Sequence, residues 1–200
     1  MTTARTLLAM PNDPAYVLGM SPPALMTADE LVHVHIPDKH VELVRGVLVV
    51  REPAGSTHGL VAMRLGAELA VYAKRTDAGG VFAAETGFKV AVDPDTVRAP
   101  DIAFVRRERM PSPDAPGYAA LAPDLVVEVL SPSDRPGEVL AKIGDWLEGG
   151  ARLIWVIDPA RRLARVYRAD GTEEIVTADQ TLQGEDVVPG FASPLADILS

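Results

Sequence analysis

Apolar residues recur at helical spacing in two stretches of the chain, and each stretch predicts an amphipathic helix. The first stripe consists of Val61, Leu65, Leu69 and Tyr72, and the second of Val139, Leu140, Ile143, Trp146 and Leu147. Possible cap residues at Ser56 or Thr57 and at Asp134 extend the helices to about 56–75 and 136–148. Each helix should therefore bury one face against a core.

Short apolar runs separated by turn residues predict strands. The runs cover 41–50, 81–92, 100–105, 124–130, 153–157 and 163–168. The first run fits a strand or a hairpin, and an Asp-Pro-Asp turn at 93–95 separates the second run from the third. Helices and strands do not alternate regularly, so the pattern predicts a mixed α/β (α+β) fold whose central sheet is flanked by helices.

The prolines near the N-terminus indicate where the domain begins. Pro11, Pro14, Pro22 and Pro23 forbid a continuous helix in this part of the chain. Thr27 then matches a helix N-cap, with Glu30 at the capping-box position. We therefore expect an irregular N-terminal arm at 1–26 and one domain at 27–200, which is a usual domain size.

Charge and composition narrow the possible functions. The 200 residues carry a net charge of -9 and include no cysteine. Proteins that hold nucleic acid through its phosphates need a basic face, so only weak stand-alone affinity for DNA is expected. Carboxylates are, however, the ligands of divalent cations. The lack of cysteine, of a signal-like N-terminus and of an apolar run near the ~20 residues of a membrane span indicates a cytoplasmic protein without membrane contact.

Two carboxylates interrupt apolar strand segments. Asp101 precedes the run 102–105, and Glu128 lies inside the run 125–130. A buried carboxylate is costly unless it meets a metal or a cationic side chain. Taken singly, Asp101 could be a solvated strand-end residue and Glu128 could belong to a structural ion pair. At the ends of adjacent strands they could instead hold one Mg²⁺ or Mn²⁺, which activates water for attack on a phosphodiester.

Several segments in a fixed order resemble one protein family. They are Glu42-Leu43-Val44-Arg45-Gly46, the helix start at His58, Pro100-Asp101-Ile102, Pro123 to Ser133, Lys142, Trp155 to Pro159 and Pro189-Gly190-Phe191. Their order and spacing, over about residues 27 to 199, resemble the Uma-two family of restriction endonuclease-like proteins. The resemblance implies a PD-(D/E)XK nuclease core in which Asp101, Glu128 and the main-chain carbonyl of Val129 bind the metal.

The remaining candidate residues follow from this resemblance. The lysine of the core should lie two residues after the glutamate, where this chain has Leu130. Lys142 in the next helix is the natural replacement, unless it is a surface lysine paired with Glu138. Glu42 matches a further acidic position that can hold a second metal or a water, unless it is an exposed strand residue. His58 could contact a phosphate or a ligand carboxylate, or be a satisfied core histidine.

The leading hypothesis is a Mg²⁺- or Mn²⁺-dependent endonuclease that hydrolyses DNA phosphodiesters. One alternative is a catalytically inactive member of the fold that binds nucleic acid or protein, which Leu130 and the acidic charge favour. Another is an enzyme that uses the same metal clamp on a small substrate. A homodimer is expected by analogy with restriction enzymes. The basic cluster Arg106, Arg107 and Arg109 is by default a solvated loop, and it is also where a phosphate-contacting patch would have to lie.

Overall fold

The computed structural model describes residues 25–200, so all but the last two residues of the predicted N-terminal arm lie outside the described residues. The helices are α1 (Ala28–Leu31), α2 (Ser56–Thr76), α3 (Pro136–Glu148) and α4 (Leu195–Ile198). The strands are β1 (His40–Val44), β2 (Val47–Arg51), β3 (Gly79–Ala83), β4 (Phe88–Ala91), β5 (Thr96–Arg98), β6 (Ile102–Arg106), β7 (Leu125–Val129), β8 (Leu153–Asp158), β9 (Leu163–Arg168), β10 (Glu173–Thr177), β11 (Thr181–Gln183) and β12 (Ala192–Pro194).

A six-stranded mixed sheet in the order β10-β9-β8-β7-β6-β3 forms the centre of the fold. Strands β7 and β8 run parallel, and the other neighbours run antiparallel. Helix α2 covers one face, where Leu65, Leu69 and Val127 belong to one buried cluster. Helix α3 covers the other face, where Val126 and Trp146 belong to a second cluster. The predicted mixed sheet flanked by helices is therefore confirmed.

A second, four-stranded sheet in the order β2-β1-β5-β4 packs beside the first. The predicted hairpin at 41–50 is confirmed as β1 and β2, which pair antiparallel through a turn at Arg45 and Gly46. Both turn residues have positive φ, 48° and 75°, as a two-residue hairpin turn of type I′ requires.

The sequence prediction was wrong at 81–92, where one strand was expected. The segment divides into β3, in the six-stranded sheet, and β4, in the four-stranded sheet. The predicted turn at 93–95 connects β4 to β5, a strand that the prediction missed. β5 is only three residues long and contains Arg98, so its hydrophobic pattern was too short to be recognised.

The helix termini confirm one predicted cap and correct two. The Thr27 side chain and Glu30 form the expected capping box at α1. Helix α2 is preceded by Gly55 and α3 by Arg135, neither with a side-chain cap, so Ser56, Thr57 and Asp134 are not N-caps. Within the α3 stripe, Leu140 is 59% exposed and does not belong to the core. No helix between residues 25 and 200 is long and apolar enough to span a membrane.

Candidate active site

Asp101 and Glu128 lie at the same edge of the six-stranded sheet. Strands β6 and β7 are antiparallel, with Ile102 opposite Val127, so the start of one meets the end of the other. The Asp101 N–H donates to the Val127 carbonyl (3.1 Å). The Val129 N–H donates to Asp101 Oδ2 (2.6 Å). Alternation along the strands places both carboxylates on the face covered by α3, because Ala103 and Val126 pack there.

Glu128 is held by two side chains of α3. Lys142 Nζ lies 2.8 Å from Glu128 Oε2, and the Trp146 indole N–H donates to Oε1 (2.8 Å). Burial raises the pKa of the Glu128 carboxyl to about 7, since the opposing attraction of Lys142 is partly offset by the charge of Asp101. A carboxyl whose pKa is raised by burial beside charged partners is a common feature of functional sites.

The Lys142 ammonium has three acceptors around it. Besides Glu128, these are the Ala99 carbonyl at 3.1 Å and Glu42 Oε1 at 3.4 Å. Burial acts to lower the pKa of Lys142, but the charges of Glu128 and Glu42 outweigh it and raise the pKa above its ordinary value. The side chain points toward the sheet edge as expected, while Glu138 pairs with Arg51 at 3.3 Å.

Glu42 is buried, with 3% of its surface exposed, so the alternative of an exposed strand glutamate is wrong. Arg98 Nη1 lies 3.0 Å from its Oε2, and the Ala99 N–H donates to its Oε1 (2.9 Å). Burial works to raise the pKa of Glu42, but Lys142 and Arg98 together hold it below the ordinary value. Glu42 is therefore ionised, and both of its oxygens already have partners.

His58 lies in the first turn of α2, with Nε2 3.1 Å from Asp101 Oδ2. The hydrogen bond to Asp101 raises the pKa of this imidazole, while burial opposes the shift. The side chain is 15% exposed and lines the same cavity as Asp101, Glu128 and Lys142. The sequence allowed His58 either to contact a phosphate or a carboxylate of the site or to be a satisfied core histidine. In the structure it contacts the Asp101 carboxylate.

A large cavity opens onto this edge of the sheet. Its volume is about 1400 Å³, and its walls come from both sheets, α2, α3 and the loop 130–135. Most of the α2 wall consists of small residues, among them Gly59, Ala62 and Gly66, together with His58 and Met63. The cations on its rim are already paired, for example Lys39 with Glu52 and Arg51 with Glu138.

The donor atoms at the sheet edge are of the kind that a hard divalent cation binds, and a cation there would share the Glu128 carboxylate with Lys142 and Trp146, which donate to its two oxygens. Asp101 Oδ1 receives no hydrogen bond from the residues in the range 25–200. In a strand the N–H and C=O of one residue point to the same side, so the Val129 carbonyl is directed toward Asp101. Two carboxylates and a carbonyl leave positions for water, as Mg²⁺ prefers. The described part of the chain has no group of three or more His, Asp or Glu side chains placed to hold an ion alone.

Three residues of the site were missed by the sequence analysis. Arg98 lies in the short strand that was not predicted, and Trp146 was assigned only to the apolar stripe of α3. Asp145 interrupts that stripe and is 6% exposed, and its carboxylate accepts from the guanidinium of Arg98. The signal in the sequence was a charged residue next to the apolar stripe of α3. Its role could not be recognised, because the sequence does not show which residue it pairs with.

The arginine cluster after β6 does not lie at the site, so the expected phosphate patch there is wrong. Arg106, Arg107 and Arg109 lie at or beyond the end of β6 that is opposite Asp101. Their guanidinium groups bind the Asp186 and Val187 carbonyls, Asp77, and Asp124, respectively. The cluster therefore stabilises the far edge of the sheet and leaves few donors for a phosphate.

Comparisons with known proteins agree with this architecture. A crystal structure described as "a putative nuclease belonging to DUF820 from Anabaena variabilis ATCC 29413" superposes with a TM-score of 0.74 at 22% identity, covering 87% of this chain and 97% of that chain. The chain thus has the fold of that nuclease-like protein. Residues 28–196 match the family described as "Uma2: Putative restriction endonuclease", and the chain belongs to this family. No curated protein matches it. The resemblance drawn from the sequence is confirmed.

Proposed function

We propose that the protein is a divalent-metal-dependent endonuclease that hydrolyses DNA phosphodiesters. The family and the nuclease-like fold support a nuclease function. The observation that carries the proposal is the ammonium of Lys142, 2.8 Å from Glu128 at the edge where Asp101 lies. It supplies the cation that Leu130 cannot supply at the usual position.

Each residue of the site has a role in this proposal. Asp101, Glu128 and the Val129 carbonyl would hold Mg²⁺ or Mn²⁺, which supplies activation of water and compensation of charge on the phosphate. Lys142 keeps Glu128 in place and adds positive potential near the scissile phosphate. Glu42 lies 3.4 Å from the same ammonium and adds to its electrostatic stabilisation. His58 fixes Asp101 and, in its charged form, can donate to a phosphate oxygen.

A catalytically inactive member of the fold is the second candidate. In the metal-free site the ammonium of Lys142 donates to Glu128 and to the Ala99 carbonyl and lies 3.4 Å from Glu42, so little of its hydrogen-bonding capacity is left for a water or a phosphate. Leu130 in the usual lysine position favours the same alternative. Such a protein would bind nucleic acid or another protein through the cavity without cutting.

We extend the proposal to the domain organisation, cellular location and assembly of the protein. A single domain over 27–200, cytoplasmic and associating as a homodimer, would suit an enzyme that cuts both strands of DNA. DNA affinity should be weak without the divalent cation, since the net charge is -9.

Cleavage of supercoiled plasmid with Mn²⁺ or Mg²⁺ tests the proposal. We expect the parent protein to nick or linearise the plasmid, and Asp101→Asn to abolish cleavage. Asp114→Asn, an exposed loop residue, is the matched control and should cleave like the parent. Cleavage that persists in Asp101→Asn or in excess chelator would contradict the assignment. Metal-dependent DNA binding without any cleavage would support the inactive alternative.

A further inference from the structure

A buried network of charges links the four-stranded sheet to α3 behind the candidate site. Arg98 on β5 is its centre, with 5% of its side chain exposed. Its Nε and Nη2 donate to Asp145 Oδ2 at 2.9 and 2.5 Å. Its Nη1 donates to Glu42 Oε2 at 3.0 Å. A single guanidinium therefore joins a residue of α3 to a residue of β1.

From this position Arg98 contacts two residues, Asp145 and Glu42, that affect the side chains at the sheet edge. Asp145 lies three residues after Lys142 and one before Trp146, so its anchor fixes the rotation of the α3 turn that supplies both contacts to Glu128. Glu42 accepts from Arg98 and lies 3.4 Å from the ammonium of Lys142. Because Arg98 occupies Glu42 Oε2, the ammonium of Lys142 has only the longer contact to Glu42 and stays close to Glu128.

The balance of charge points the same way. Arg98 and Lys142 are the least exposed cations of this network, and Glu42, Asp145 and Glu128 are its buried carboxylates, while the more exposed Arg45 and Arg51 approach Asp145 and Glu42 at 3.1 and 3.8 Å. Without Arg98, Glu42 would have Lys142 as its main buried cation. The ammonium would then move toward Glu42, and Glu128 would lose its partner.

We propose that Arg98 is a positioning residue of the site, which through Asp145 and Glu42 holds Lys142 and Trp146 on Glu128. This role rests on the proposed function, although it can be observed without catalysis. Arg98 is too far inside the protein to touch a substrate and acts only through its neighbours. Residues of this kind around a metal site typically account for roughly 10- to 100-fold in activity.

Kinetics with matched variants test the role. Arg98→Gln should lower kcat for Mn²⁺-dependent cleavage roughly 10- to 100-fold with little change in KM. Arg98→Lys should not restore the parent rate, because an ammonium cannot bridge two carboxylates in the fixed geometry of a guanidinium. Arg45→Gln is the control: Arg45 also contacts Asp145, at 3.1 Å, but it is 61% exposed and does not reach Glu42. It should cleave like the parent.

A spectroscopic measurement reads the positioning directly. The chain has two tryptophans, and hence two indole N–H resonances. The resonance that disappears in Trp146→Phe belongs to the group that donates to Glu128. We expect Arg98→Gln to shift this resonance in the metal-free protein, while Arg45→Gln leaves it in place. The rest of the amide spectrum reports whether each variant is folded.

The outcomes separate this inference from the proposed function. If Arg98→Gln is folded but keeps both the parent kcat and the parent Trp146 resonance, Arg98 has only a structural role and the inference is wrong. If Arg98→Gln does not fold, Asp145→Asn decides by the same two measurements, because it removes the anchor charge with little change of shape. If the parent cuts no DNA, the proposed function fails, and the Trp146 resonance alone decides the role of Arg98.

Discussion

The two ends of β7 both carry a buried carboxylate next to β6, but they differ in how its charge is balanced. At the start of the strand, Asp124 is 1% exposed. Its Oδ1 accepts from Arg109 at 2.6 Å, and its Oδ2 accepts the Arg106 N–H at 2.9 Å. One carboxylate meets one guanidinium and one amide, so the far end is closed and satisfied.

At the other end of β7, the buried glutamate shares its cation with a second carboxylate. Glu128 and Glu42 share the ammonium of Lys142, and burial raises the pKa of Glu128 to about 7. This end faces the cavity, whereas Asp124 does not line it. Burial of a carboxylate is thus common to both ends, and a carboxyl with a raised pKa that faces a cavity distinguishes the candidate active site.

The largest expected effect is on the rate of DNA cleavage by variants at the two ends of β7. Lys142→Ala should lower the cleavage rate roughly 10²- to 10³-fold, the scale of losing one charged group that stabilises a transition state. Arg109→Ala, which removes the cation of the far end, should leave the rate within about twofold of the parent, with allowance for reduced stability. Initial rates on plasmid with Mn²⁺, at a temperature where both variants are folded, give the comparison. Equal losses in the two variants would remove the distinction.

The second effect is on the free energy of unfolding. Here the variant at the far end of β7 should lose more than the variant at the candidate site. Asp124→Asn should reduce the free energy of unfolding by about 2 kcal/mol, because it leaves Arg109 without its counter-charge. Glu128→Gln should change it by less than about 1 kcal/mol, because Lys142 keeps Glu42 and Ala99 and the cost of a buried charge is removed. Urea unfolding of the metal-free protein measures both. A larger loss in Glu128→Gln would make Glu128 a structural ion-pair residue.

Sequence reasoning identified parts of the fold where a periodic pattern was long. The stripe of α2, the span of α3 and the hairpin β8–β9 agree with their predicted positions. It failed at β3, β4 and β5, because a division of a continuous apolar run between two sheets leaves no local signal. The same limit explains the missed Arg98, whose meaning depends on residues 56 and 47 positions away in sequence.

The candidate site was likewise only partly predictable. The sequence suggested that Asp101 and Glu128 lie at the ends of adjacent strands, and the side chain of Lys142 does point to Glu128. The sequence could not indicate that Glu42 is buried between two cations, nor that the arginines after β6 are consumed at the far edge. Charge on a chain is visible in its sequence, but the pairing of charges is a property of the fold.

The third effect tests whether Lys142 substitutes for the missing lysine at position 130. Leu130 lies two residues after Glu128 and packs on the same face. Leu130→Lys should raise the cleavage rate of Lys142→Ala about tenfold, since it returns an ammonium to the sheet edge. Leu130→Met, with a similar size and no charge, is the control and should give no rescue. Equal rates for the two double variants would show that charge at this edge does not matter.

The smallest expected effect is on the salt dependence of DNA binding. The slope of this dependence reports how many cationic side chains at each end of the sheet are free to contact phosphates. Each neutralised phosphate contributes about 0.9 to the slope of log affinity against log salt for duplex DNA. Because Lys39 and Arg51 on the cavity rim are already paired, we expect a slope of only about 1 to 2. Glu52→Gln frees Lys39 and should raise the slope by about 1, while Asp77→Asn frees Arg107 at the far end and should not change it.

Binding of a labelled duplex with Ca²⁺ in place of the active metal, titrated from low to physiological salt, measures the slope. If Asp77→Asn raises it as much as Glu52→Gln does, DNA binds across both ends of the sheet, and the assignment of the cavity end as the substrate surface is wrong.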